Sequence, residues 1–202
     1  MLNKYLLCVI ILNLFVLPLP IQAQENIQKD SSRFRIGVEL GGGYGFKLKT
    51  NNIIEGNYTR SGVNLSMRLK WGSGNIFGAG LETGWISISS LSSENVSTIL
   101  GKTNIEASLG AIPLLFIVGA QYAGFRIHGG AGYYNVISKS TVFESTIESN
   151  EWDYGYTLSL GYIYPINKQL KFSTEVRWNN ISEVQISILS FQASVLVKLW
   201  EW

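Results

Sequence analysis

From Arg33 onward the apolar residues of this chain recur at every second position. In Arg33 to Phe46, residues Phe34, Ile36, Val38, Leu40, Tyr44 and Phe46 alternate with Arg33, Arg35, Gly37, Glu39, Gly41, Gly43 and Gly45. A period of two is the repeat of a β-strand with unlike faces and cannot place an apolar stripe on a helix. The same alternation returns over Arg60 to Trp71, Ile76 to Trp85, Asn104 to Val118, Phe125 to Ile137, Trp152 to Tyr164, Leu170 to Trp178 and Ser187 to Trp200. Eight strands follow. Residues 47–59, 72–75, 86–103, 119–124, 138–151, 165–169 and 179–186 connect them, and the connections run long, short, long, short, long, short, long. Such a rhythm belongs to an all-β, eight-stranded antiparallel up-and-down barrel with tight turns at one end and extended loops at the other.

Which face looks inward is decided by bulk. Most of the 21 glycines fall on the polar face, whereas the apolar face carries large side chains. The interior of an eight-stranded barrel has room for little more than its own side chains, so the glycine-rich polar face is the lumen and the bulky apolar face the exterior. An apolar exterior means lipid, so the strands are transmembrane; a soluble ligand-binding barrel would show the opposite phase, and an aromatic-rich sandwich core would not cluster its rings at strand ends. Trp71, Trp85, Tyr133, Trp152, Tyr154, Tyr162, Tyr164 and Trp178 lie toward the strand ends, as rings at the two membrane interfaces do. A charge content of 15% is low for a soluble domain.

Met1 to Ala23 reads as a cleaved signal peptide: Lys4, an apolar run from Leu6 to Phe15 interrupted by Asn13, then Pro18, Pro20 and a small residue at Ala23. Residues 24–32 make a short periplasmic segment and residues 33–202 the barrel. The one cysteine, Cys8, leaves with the leader and lies too near the start for a lipid-anchor motif, so the mature chain has neither disulfide nor thiol chemistry. Sixteen basic and fourteen acidic residues form no basic patch, which excludes nucleic acid as a partner.

The inward phase carries Arg35, Glu39, Arg68, Glu82, Glu106, Arg126, Asp153, Lys171, Glu175 and Arg177, with Arg33 and Lys70. Charges in a narrow lumen must pair, so these are expected to form a structural plug and not a catalytic pair. His128, the lone histidine, points inward by parity, and no serine stands two residues on, as a lipid-modifying barrel enzyme would require. With one histidine and no cysteine, a zinc site is not expected; no catalytic residue, metal or cofactor is assigned. The long loops are more apolar than idle loops need to be, and 86–103 and 138–151 are the expected contact sites for a protein partner.

The motif Ala111-Ile112-Pro113-Leu114-Leu115, followed by Phe125-Arg126-Ile127-His128-Gly129-Gly130-Ala131-Gly132, resembles the small outer-membrane β-barrel family of Gram-negative envelopes, including the PorT-type and OmpX-like proteins. The resemblance implies a location in outer-membrane lipid, insertion by the barrel assembly machinery and a periplasmic N-terminus. It does not imply one function: adhesion, defence and secretion accessories all occur. Such barrels usually end on an outward aromatic. Here Trp200 and Trp202 fall in the phase opposite to Phe191 to Leu199, so either the last strand slips by one residue or that signal is read loosely.

Overall fold

A computed structural model describes residues 34–48, 57–73, 76–98, 101–142 and 145–201. The expected leader and periplasmic segment lie outside the described residues. Among the described residues nine strands are present: β1 (Phe34–Lys47), β2 (Asn57–Thr59), β3 (Ser61–Ser73), β4 (Phe77–Thr98), β5 (Gly101–Tyr122), β6 (Phe125–Val142), β7 (Ser145–Pro165), β8 (Leu170–Ile181) and β9 (Ile186–Glu201). β2 and β3 both pair with β4 and are one barrel strand interrupted at Arg60. Sequential neighbours pair antiparallel and β1 pairs with β9, which closes eight strands into a ring without a free edge along its wall.

Local chemistry sets the turns. Ala123 and Gly124 both take positive φ, 47° and 85°, the two-residue hairpin geometry that matches strand twist. Between β7 and β8, the Asn167 side-chain oxygen accepts hydrogen bonds from the backbone N–H groups of Gln169 (2.9 Å) and Leu170 (2.7 Å). Pro113 lies in mid-strand, where the β4–β5 ladder lapses between Thr83↔Leu114 and Ile86↔Ala111, so its missing N–H removes no bond there.

The connections differ from the expectation. Most of 86–103 and 138–151 is strand: β4 and β5 have 22 residues each, β6 has 18 and β7 has 21, against 12 to 16 in β1, β8 and β9. The β8–β9 connection is the tight turn Ser182 to Gln185 in place of the long loop 179–186. These hairpins alternate weakly in sequence because solvent lies on both of their faces, so no apolar period marks them.

The phase of β5 is also the reverse of the expectation. Ala111, Leu115 and Ile117 point inward and are buried, while Leu114, Phe116 and Val118 are exposed. Ile105, Ala107 and Leu109 alternate with Glu106 and Ser108 and so read as exterior, but here the apolar face is the inner one. The inward residues complete an apolar layer with Ile86, Ile88, Tyr134, Val136, Ile181, Ile186 and Ile188. Glycine is required beneath the two rings nearest this layer: a Cβ on Gly155 would lie 2.7 Å from the Tyr134 ring, and one on Gly110 2.5 Å from Trp85.

At the end of β9 the pairing shifts from Gly37↔Lys198 to Ile36↔Trp200, leaving Leu199 as the extra residue of a β-bulge. The bulge changes the phase by one. Trp200 therefore joins the outward face, 66% exposed, and Glu201 turns back to accept from Arg35 Nε at 2.8 Å. The slip, not loose reading, accounts for the terminal aromatic.

Candidate functional site

Three regions collect the chemistry-bearing side chains: the lumen, the rim of its long-strand end and the strands beyond that rim. In the lumen, alternation aims one residue in two at its neighbours across the ring. Arg68 on β3 is fully buried and holds three carboxylates: Glu39 on β1 (Nη1 at 2.9 Å), Glu82 on β4 (Nε at 2.6 Å) and Glu175 on β8. Glu39 in turn accepts from Lys70 (2.8 Å), from both terminal nitrogens of Arg126 (2.7 and 2.9 Å) and from the Ser194 hydroxyl (2.6 Å). Arg177 pairs with Glu82 and donates its Nε to Thr157 Oγ1 at 3.0 Å and Asn179 Oδ1 at 3.2 Å. Three carboxylates among four cations thus fill the section below the apolar layer. Every charge in the knot faces an opposite one, the condition under which buried ions are tolerated.

Not all of the expected lumen charges belong to this knot. Glu106 is exposed on the outward phase of β5, a consequence of that strand's reversed phase, and is not a lumen residue. Arg35 binds Glu201 at the short-turn mouth. Lys171 lies inward beside Arg35 and Lys198 and makes no bond to the knot. Asp153 is buried, 1% exposed, yet neither of its oxygens has a hydrogen-bond donor among the described residues. That isolation was invisible in sequence, since parity gives a face and not a partner.

His128 is buried with Ser159 Oγ 2.8 Å from its Nε2, and Glu175 Oε2 is 3.7 Å from that same nitrogen. A nucleophile triad needs hydroxyl and carboxylate on opposite ring nitrogens; here Nδ1 has no partner among the described residues. Among the described residues no group of three or more His, Cys, Asp or Glu side chains is arranged to hold a metal ion.

The outer wall is apolar. Leu65, Met67, Leu81, Phe116, Ile127, Leu158, Leu160 and Phe191 are all exposed along it. Trp85, Tyr133, Trp152, Tyr154 and Tyr164 are exposed as well, while Trp71, Tyr162 and Trp178 are half-buried against ring neighbours: Trp71 beside Phe116, Tyr162 on Phe125 and Trp178 on Tyr156.

Beyond the rim, β4 to β7 continue as a four-stranded sheet. β7 pairs with β8 only from Gly155 to Pro165, so Ser145 to Trp152 hydrogen-bond β6 on one side and are open on the other. All eight of these residues are exposed.

No protein-family model and no curated protein matches the sequence. Solved structures do. The attachment invasion locus protein Ail of Yersinia pestis, crystallised with the heparin analogue sucrose octasulfate, superposes with a TM-score of 0.51 at 6% identity, over 84% of this chain and 99% of that one. The fold is that of the small outer-membrane barrels. Neisserial surface protein A aligns at 14% identity and a TM-score of 0.44 over 81% of this chain and 97% of its own. OprG of Pseudomonas aeruginosa aligns at 14% and 0.35 over 84% and 94%. Nothing in these comparisons points to the PorT-type proteins in particular. The apolar wall thus has the place of a lipid-facing belt in this fold, with the ringed strand ends at its two margins.

Proposed function

We propose that this chain is a non-catalytic outer-membrane barrel, exported by its leader and inserted by the barrel assembly machinery, whose work is done by the sheet that β4 to β7 raise above the cell surface. The short turns then face the periplasm. One observation carries the reading: β7 presents eight consecutive exposed residues, Ser145 to Trp152, with an open backbone edge. An exposed edge offers unpaired N–H and C=O groups that a partner strand can complete, with side chains choosing which strand.

Charge narrows the partner. Along β4 to β7 beyond the rim and in the turn 182–185, the exposed charges among the described residues are Glu106, Glu148, Glu151 and Glu183 against Lys139. An acidic surface suits a neutral or basic extended protein segment and repels a polyanion, so the sulfated ligand crystallised with Ail is not carried over.

Against an enzyme stands the His128 geometry, with serine and carboxylate on one nitrogen in a filled lumen. The short turns Ala123-Gly124 and 166–169 leave little periplasmic surface for a secretion accessory. The deciding experiment replaces 92–106 and 140–147 by tight turns, which leaves Ile86 and Ile88 in the apolar layer. Barrel assembly is expected to survive, seen as a heat-dependent gel shift, and the phenotype of the intact gene to be lost. A phenotype that survives this change but disappears when the periplasmic turns are altered would put the accessory role in its place.

A further inference from the structure

One lumen charge left out of the knot lies at the outer rim. Asp153 follows Trp152 and precedes Tyr154, whose rings face outward at that margin, while its own carboxylate faces in. The β7–β8 ladder ends at Gly155↔Ile181, and one more bond, from Ser182 N–H to Tyr154 C=O at 3.0 Å, carries it into the turn. The next residue along β7 is Asp153, and the next along the turn is Glu183.

We infer that Asp153 and Glu183 form a binding site for a hard divalent cation, with calcium the foremost candidate, at the extracellular mouth of the barrel. The argument is one of unmet demand. A carboxylate 1% exposed with no donor on either oxygen is a strongly unfavourable arrangement unless something positive neutralises it. The group that faces it is a second carboxyl, which adds negative charge where positive is wanted. Glu183 lies close enough to Asp153 for a hydrogen bond between the carboxyls, so their oxygens converge where a metal ion can sit. Oxygen-only donors select calcium or magnesium over softer metals. Calcium tolerates the irregular geometry of one strand residue and one turn residue, whereas magnesium demands a near-ideal octahedron.

Two carboxylates leave most of the coordination shell to water, which places the affinity in the range of extracellular calcium modules, about 10⁻⁴ to 10⁻³ M. Occupancy would clamp the β8–β9 turn to β7 just below the open edge of the projecting sheet. The site stands independently of what that sheet recognises.

The test uses the mature barrel folded in detergent micelles and stripped of metal, with terbium luminescence excited through the protein's aromatic rings and calcium as the displacing ion. The intact protein is expected to give a saturable signal that calcium removes with a midpoint of about 10⁻⁴ to 10⁻³ M. D153N and E183Q are each expected to weaken calcium binding at least about tenfold, because affinity follows the number of charged ligands. E148Q, exposed and paired with Lys139, is expected to leave it unchanged. E183Q alters an exposed turn residue, so its result stands even if D153N fails the heat-dependent gel shift that reports folding. Absence of a saturable, calcium-displaceable signal in the intact protein, or a signal unaltered in E183Q, would overturn the site.

Discussion

Arg68 shows how much of this barrel rests on a single side chain. Its three nitrogens reach carboxylates from β1, β4 and β8, and no part of it is exposed. Removing one partner from such a knot leaves an uncompensated charge in a region that water does not reach. Glu175→Ala deprives both Arg68 and Arg126 of a carboxylate and is expected to destabilise the folded barrel by about 3 to 5 kcal/mol, measured as a shift in the urea midpoint of unfolding in lipid vesicles. Glu148→Ala, which breaks an exposed pair with Lys139, should cost at most about 1 kcal/mol. A shift at Glu175 no larger than that at Glu148 would mean the lumen is wet. These inward charges could be read from alternation on every strand but β5, because a charged residue between apolar ones declares its face. Glu106 misled: Ile105, Ala107 and Leu109 alternate with it as an apolar exterior would, yet Leu109 packs against the apolar layer inside and Glu106 is exposed.

At the scale of elements, the bulge near the end of β9 explains a terminal tryptophan that strict alternation would put in the lumen. Leu199 is the surplus residue, so its deletion should leave Lys198 opposite Gly37 and Trp200 opposite Ile36, and assembly should proceed. Trp200→Lys keeps the register but removes the outward indole. The yield of the heat-shifted folded band is expected to fall for this substitution and hold for the deletion; equal yields would mean that the outward ring is immaterial. The sequence shows the phase mismatch at Trp200 but not which residue is surplus, since Leu199 and Trp200 are both apolar. The long hairpins were equally illegible for a different reason. Ser145 to Trp152 is exposed throughout, and nothing apolar repeats where both faces meet water.

For the molecule as a whole, lipid on the outside and a filled interior make separate demands. Leu158 is 48% exposed and lies midway along β7 between Trp152 and Tyr164. Leu158→Arg should therefore cost about 2 to 4 kcal/mol in vesicles, and Trp152→Arg, at the interface, about 0 to 1; equal costs would argue against the membrane placement. The interior predicts electrical silence. An ion knot capped by an apolar layer leaves no water path, so the protein in planar bilayers should show no steady current, and a stable open level would refute the packing.

The knot also bears on how such a cylinder comes into being. Its members come from β1, β3, β4, β6 and β8, with Ser194 of β9 on Glu39, so no partial set of neighbouring strands satisfies it. An unclosed sheet would hold bare charges against hydrocarbon, and only the meeting of first and last strands gives each one its counterpart. Closure then becomes all-or-none, and reopening the β1–β9 seam must strip Glu39 of Ser194 before any lipid can enter. The wall is thus held shut from within, and its persistence is a matter of rate: a slow exit from a deep, late-formed minimum.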